Sequence, residues 1–334
     1  MDRELTVTHE SSGPRRFLRS GVLVFAMLTI SCATAEPQRP TRTETRSSGQ
    51  LSFENLTIPR AEIHAGGPPK DGIPAITDPK VVTAASATFL TPQSRVVGLT
   101  IGKESRAWPI AILNYHEIIN DTLDGIPIAV TYCPLCDSAA VFDRRTKSGV
   151  REFGVSGLLY SSNVLMYERV DGAQSLFSQL QSMGVSGSGS KQQLKTLPVE
   201  LTTWQDWRRR RPDTTVASLQ TGHQRDYTRN PYENYFSTPN LMFPVRKQSD
   251  RLPPKQRVLG LWSGDQYLAV PMSLIGKDGG EFDVTLGKTT VRLVTEPAGS
   301  TIRVVKADDG VRWMYSLWFA WYAFHPETEV LVIR

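Results

Sequence analysis

Residues 95–113 read RVVGLTIGKESRAWPIAIL, and residues 257–275 read RVLGLWSGDQYLAVPMSLI. The two stretches align without gaps and share seven of 19 positions: Arg95/Arg257, Val96/Val258, Gly98/Gly260, Leu99/Leu261, Gly102/Gly264, Ala107/Ala269 and Pro109/Pro271. In each, two β-branched runs flank a Gly-containing turn, which is the pattern of a β-hairpin. Hairpins converge on Gly turns independently, but seven gapless identities favour duplication of one β-unit. The first copy leads to His116, Glu117 and a pair of cysteines. The second leads to Asp278-Gly279-Gly280 and runs without Cys or His. The first copy is therefore expected to carry the chemistry and the second to act as scaffold.

Outward from the hairpins the chain stays rich in short β-branched runs. Residues 126–132 (IPIAVTY) read as a strand, and 139–144 and 150–155 read as a hairpin around Thr146-Lys147-Ser148-Gly149. Helical periodicity is sparse; 113–120, 203–211 and 317–324 are the plausible helices. The expected fold is mostly β, an α+β arrangement with few short helices. Antiparallel sheets or a barrel-like core would contain the duplicated hairpin.

The chain has 334 residues, with 38 Lys and Arg against 33 Asp and Glu, and 40% apolar residues. That composition is globular, and argues against global disorder and a polytopic membrane protein. The charge of +5 comes with no basic nucleic-acid motif, so no nucleic-acid partner is expected. Residues 1–32 read as a signal peptide, with Arg15, Arg16 and Arg19 before the apolar run 21–30. That run is too short to span a membrane. Leu28-Thr29-Ile30-Ser31-Cys32 resembles a lipobox that would lipidate Cys32, with Thr29 off-pattern; Ala33-Thr34-Ala35 offers the competing soluble cleavage site. Residues 33–50 lack bulky apolar side chains and read as a flexible tether, leaving 51–334 as one folded domain. The expectation is an exported protein of the cell envelope or periplasm, held to a membrane by a lipid anchor.

Cys133-Pro134-Leu135-Cys136 is the sharpest chemical feature. It admits thiol–disulfide exchange, although the following residues look like a strand rather than the helix of a thioredoxin. It also admits a metal site. Two thiolates are too few for closed zinc, so a third ligand is needed, and His116 lies one short strand away. Two Cys and one His suit copper first and zinc second. Asp137 follows Cys136 where haem c attachment requires His, which excludes haem in its usual form. The third reading is a structural disulfide or two buried thiols; a bridge over two residues constrains the unfolded chain little. Glu117, Asp137 and His325 form a second tier of metal-site candidates. His325 ends an aromatic run that reads more readily as core. The Gly/Ser-rich 184–190 lacks a phosphate-binding motif, and no nucleotide is expected.

Several motifs together resemble the bacterial and archaeal domain-of-unknown-function family numbered 3179. They are Asp71-Gly72-Ile73-Pro74-Ala75-Ile76, Arg106-Ala107-Trp108-Pro109, His116-Glu117-Ile118-Ile119-Asn120-Asp121 and Thr131-Tyr132-Cys133-Pro134-Leu135-Cys136-Asp137-Ser138-Ala139. Phe153-Gly154-Val155-Ser156-Gly157, Leu165-Met166-Tyr167 and the closing Trp318-Phe319-Ala320-Trp321 with Ala323-Phe324-His325-Pro326 complete the set. Phe177 stands where that family usually has Trp. The resemblance implies an exported or membrane-associated protein and supplies no reaction. Three functions remain open: a Cys133/Cys136/His116 metal protein with copper favoured, a thiol-disulfide redox protein, and a structural or surface-interaction protein with incidental thiols.

Overall fold

The computed structural model describes residues 3–5, 48–147, 149–276 and 279–333. Most of the expected signal segment, Cys32 and most of the tether lie outside them. Among the described residues no helix is long and apolar enough to cross a membrane.

The chain is mostly β, with four short α-helices among the described residues. The first hairpin pairs β1 (Arg95–Ile101) with β2 (Glu104–Pro109), and α1 (Ile110–His116) follows. Then come β3 (Ile118–Leu123), β4 (Ile126–Cys133) and β5 (Ser138–Asp143), an antiparallel meander. A second antiparallel set holds β6 (Phe153–Tyr160), β7 (Asn163–Glu168) and β8 (Leu176–Ser178). β9 (Glu200–Thr203), α2 (Trp204–Arg210) and β10 (Thr215–Ala217) return to the first hairpin. After a long connection carrying α3 (Glu233–Phe236), β11 (Arg257–Ser263) and β12 (Gln266–Pro271) form the second hairpin. A three-stranded antiparallel sheet of β13 (Gly280–Leu286), β14 (Thr289–Glu296) and β15 (Thr301–Ala307) precedes β16 (Arg312–Leu317), α4 (Trp318–Phe324) and β17 (Glu329–Ile333).

The duplication reaches well past the hairpins. β9 runs antiparallel to β1 with Thr203 opposite Arg95, and β16 runs antiparallel to β11 with Leu317 opposite Arg257. Each returning strand enters a helix that starts Trp-x-x-Trp, Trp204 to Trp207 and Trp318 to Trp321. Each helix is followed by a strand parallel to the second hairpin strand: Thr215 pairs with Arg106, and Glu329 with Leu268. The second Trp of each helix donates its indole N–H to a Thr seven residues on, Trp207 to Thr214 and Trp321 to Thr328, both at 2.9 Å. The same ring lies flat on the hairpin glycine. A Cβ on Gly98 would sit 2.5 Å from Trp207, and one on Gly260 would sit 2.3 Å from Trp321. Each unit is therefore hairpin, excursion, strand, helix, strand. The excursion of the first unit carries β3 to β8; that of the second carries only β13 to β15.

The sheets are open, and none closes on itself among the described residues. β5 pairs with β16 at Ala139 and Tyr315, which joins the first unit's excursion to the second unit's sheet. Leu99, Trp108 and Ile112 share one apolar core with Leu259, Leu268 and Val270. The two units thus bury these apolar side chains in common. The hairpin expected from 139–144 and 150–155 is reduced to two residue pairs, Arg145 with Val150 and Thr146 with Gly149. β5 pairs instead with β4 and with Lys195–Leu197. The buried Arg144 ends that ladder, because its guanidinium donates to the backbone carbonyls of Asp121, Ile128 and Arg151.

Gly98→Ala and Gly260→Ala should each lower stability by about 1–3 kcal/mol through overpacking against the Trp ring. Urea unfolding midpoints measure this, and a loss well below that range at either site would show that its indole is not seated as described.

Candidate functional site

The Cys-Pro-Leu-Cys stretch is the turn between β4 and β5, so local strand pairing fixes it. Cys136 N–H donates to Cys133 O at 3.2 Å and Asp137 N–H to Pro134 O at 3.4 Å. Both thiols are free and buried. Both face the carbonyl of Ser162, at 3.2 Å from Cys136 Sγ and 3.8 Å from Cys133 Sγ. Ser162 lies in the tight β6–β7 turn, where Ser161 and Ser162 both take positive φ, +47° and +62°. Paired left-handed residues match the twist of a two-residue hairpin.

The two sulfurs differ. Burial acts to raise the Cys133 pKa, but the Cys136 thiol and the backbone N–H groups of Cys136, Val164 and Leu135 outweigh it and lower the value. Burial, the hydrogen bond with Cys133 and the Cys133 charge push Cys136 well up. The Asn163 amide touches Cys136 and is fixed from behind by a buried polar network. Asn163 Nδ2 donates to Gln179 Oε1 at 2.9 Å, Ser138 Oγ donates to the same oxygen at 2.6 Å, and Gln179 Nε2 donates to Thr131 Oγ1 at 3.0 Å.

Glu117 accepts Tyr132 N–H on its backbone carbonyl at 2.8 Å, one residue before Cys133. It follows α1 at φ +55°, and burial, then the Cys133 charge, raises its carboxyl well above the usual range. His116, one residue earlier, is turned elsewhere. Its Nδ1 donates to Pro74 O and its Nε2 accepts from the Tyr227 hydroxyl, both at 2.7 Å. With both ring nitrogens engaged, His116 does not complete a set with the two sulfurs. Among the described residues no group of three or more His, Cys, Asp or Glu side chains is placed to hold a metal. The three-ligand arrangement expected from chain proximity is therefore not assembled.

Asp137 is also committed. Its buried carboxylate contacts Arg95 at 2.9 and 3.0 Å and Arg257 Nε at 2.5 Å, and accepts from Tyr132 Oη at 2.8 Å. Burial would raise its pKa, but the two arginines hold it below the usual carboxylate range. His325 packs among Trp321, Tyr267 and Trp262, with centroid separations of 4.2, 4.5 and 6.4 Å, and hydrogen-bonds the Leu180 backbone. That is the core role its aromatic run favoured.

The connection between β10 and β11 covers the thiols, and the sequence did not single it out. Tyr235 Oη donates to Leu135 O at 3.0 Å, and Ser162 Oγ donates to Phe243 O at 2.8 Å. Tyr232, Phe236 and Phe243 pack on the cluster containing Cys133, Leu135 and Cys136. The end of α1 pins this strap: Tyr115 Oη donates to Arg229 O at 3.1 Å, Asn114 Nδ2 to Asn230 Oδ1 at 3.3 Å, and Tyr227 to His116.

The latch histidine gives a pH prediction. Burial, helped by the charges of His223 and Arg225, lowers the His116 pKa to about 4, against an ordinary value of about 6.5. The unfolded chain then binds the extra proton first as pH falls. The contribution of neutral His116 is complete above about pH 6.5 and is lost toward pH 4, at roughly 1 kcal/mol per unit. Burial lowers His325 to about 4 as well, so both rings act in that window. Urea unfolding from pH 7 to 4.5 should show falling stability, and His116→Gln should remove about half of the slope. A wild-type profile flat across the window would contradict a buried neutral latch.

No curated protein and no solved structure matches the chain. Residues 70–314 match the family described as "Protein of unknown function (DUF3179)". That span contains both hairpins, the Cys133–Cys136 turn, Glu117 and the strap. The chain belongs to this family of proteins of unknown function.

Proposed function

We propose that the chain is a thiol–disulfide exchange protein in which Cys133 and Cys136 alternate between dithiol and disulfide. The observation that supports this reading is a pair of free sulfurs on one turn, both against the Ser162 carbonyl, with the Cys133 pKa lowered by the Cys136 thiol and backbone N–H groups and the Cys136 pKa raised by burial. A nucleophilic thiolate beside a resolving thiol is the arrangement that exchange needs.

Cys133 attacks a disulfide R–S–S–R′, forming Cys133–S–S–R and expelling R′S⁻. Glu117, whose burial favours the protonated carboxyl, donates its proton to that leaving thiolate. The resulting carboxylate then takes the proton of Cys136. Cys136 attacks the Cys133 sulfur, RS⁻ leaves, and the pair ends as a disulfide. The substrate has gained two electrons, and an external dithiol restores the resting pair. Both sulfurs are buried, so the strap must open before a substrate disulfide can reach them. The export reading of residues 1–32 fits this chemistry, since disulfides persist outside the cytoplasm. A copper or zinc protein is the less supported reading, because His116 is committed to Pro74 and Tyr227.

Equilibration of the purified chain in thiol–disulfide buffers, with alkylation of free thiols and mass analysis, tests the proposal. Wild type should show one two-electron transition, absent from Cys133→Ser and Cys136→Ser. Glu117→Gln should slow exchange about tenfold or more, the scale of a lost proton-transfer group, and leave the midpoint close to wild type. A pair that never forms the disulfide, or stoichiometric copper or zinc lost on Cys133→Ser, would sink the redox reading.

A further inference from the structure

The two arginines that open the repeated hairpins meet at a cavity the thiol reading does not use. Arg95 and Arg257 occupy equivalent positions, opposite Thr203 and Leu317. Both reach Asp137, and all three line a cavity of about 250 Å³ walled by both units. Gln93, Gln205 and Ser300 bring neutral polar groups to the same space, and Leu201, Val258 and Met272 bring an apolar wall.

Charge is not balanced there. The lining holds two guanidinium groups and one carboxylate, which leaves one net positive charge. The carboxylates on this side are spent elsewhere, Asp206 on Arg209 and Arg210, Glu200 on Arg210, and Glu296 on Arg303, while Glu233 lines a separate cavity with Arg95, Arg257 and Arg229. Asp137 is already met by the two terminal nitrogens of Arg95 and by Tyr132. Arg257 gives it only Nε, and among the described residues its two terminal nitrogens have no protein acceptor. The Arg257 side chain is 45% exposed, against 27% for Arg95. An arginine fork with free terminal nitrogens, at a cavity with surplus positive charge, is built to take an oxyanion.

We propose that this cavity is a binding site for a small anion bearing a carboxylate or phosphate on a short uncharged stem. Arg257 grips the oxyanion, Asp137 holds Arg257 in place, and the glutamines and the apolar wall receive the stem. The site stands whether or not the thiols exchange disulfides, because no step of that chemistry passes through it.

The test is calorimetric titration of the full chain, in low-salt Tris chloride, with sodium phosphate and separately with sodium succinate. At least one should bind saturably, and the tighter of the two identifies the phosphate or the carboxylate class. Arg257→Gln, which keeps the Arg95–Asp137 pair, should weaken binding by about tenfold or more, and Arg257→Lys by less, because Lys keeps the charge without the fork. Gln93→Trp, which narrows the cavity without touching an arginine, should also weaken it and decides the matter should the Arg257 variants not fold. The proposal is overturned by no saturable heat from either anion up to roughly 10 mM, or by equal binding in wild type, Arg257→Gln and Gln93→Trp.

Discussion

One carboxylate ties the molecule together. Asp137 accepts from Arg95 of the first unit and Arg257 of the second, so the point where the two copies meet is a single buried charge shared by two symmetric partners. A carboxylate this deep is costly unless paired, and removing one partner of such a group typically costs 3–5 kcal/mol. Tyr132 adds a hydroxyl from the strand that ends in Cys133. Asp137 itself takes φ +45° immediately after Cys136. The ion cluster that joins the units thus also fixes the exit of the Cys-Pro-Leu-Cys turn, and Leu317 N–H closes it from the second unit by donating to Cys136 O at 2.7 Å.

Duplication followed by divergence explains why chemistry collects on one side. Both units keep the hairpin, the Trp helix and the glycine beneath the ring, because those positions solve the same packing problem twice. They differ in what the hairpin leads into. The first excursion has room for two antiparallel sets of strands, and its β4–β5 and β6–β7 turns face each other across the two sulfurs. The second excursion is a plain meander whose Val284, Val291 and Leu293 simply enlarge the core. Asp206 in the first helix, buried between Arg209 and Arg210, has Ala320 as its counterpart, so polar embellishment also falls on the first unit.

Local features were legible in the sequence, and those set by tertiary placement were not. Gly102 and Gly264 at positive φ, and Pro109 and Pro271 ahead of a helical turn, act within a few residues and could be read directly. The second half of the repeat is faint in the sequence because excursions of unequal length separate it from the hairpins. Its matches are few: Trp204 and Trp318, Trp207 and Trp321, Pro212 and Pro326, Thr214 and Thr328. His116 was placed with the thiols because one strand links them. Chain proximity cannot say which way a side chain faces, and the imidazole is turned to Pro74 and Tyr227 instead. The paired arginines were visible as a repeat identity, but their convergence on Asp137 depends on how the two sheets join.

The strap resolves the tension between a reactive sulfur and its burial. Between Ala217 and Arg257 the chain forms only one short helix, and over the thiols, from Tyr227 to Phe243, its ties to the body are separate hydrogen bonds from Asn114, Tyr115, His116, Leu135 and Ser162 rather than a strand ladder. Each such bond contributes about 1 kcal/mol net. Aromatic packing from Tyr232, Phe236 and Phe243 adds to them, yet the β-sheets keep their own ladders when the strap lifts. Local opening therefore costs less than global unfolding, as expected of a segment held by few and separable contacts. The groups that lower the Cys133 pKa, the Cys136 thiol and the backbone N–H groups of Cys136, Val164 and Leu135, lie on the β4–β5 turn and β7 and not on the strap. In the proposed exchange reaction the preparation of Cys133 and its access are thus governed by different parts of the chain.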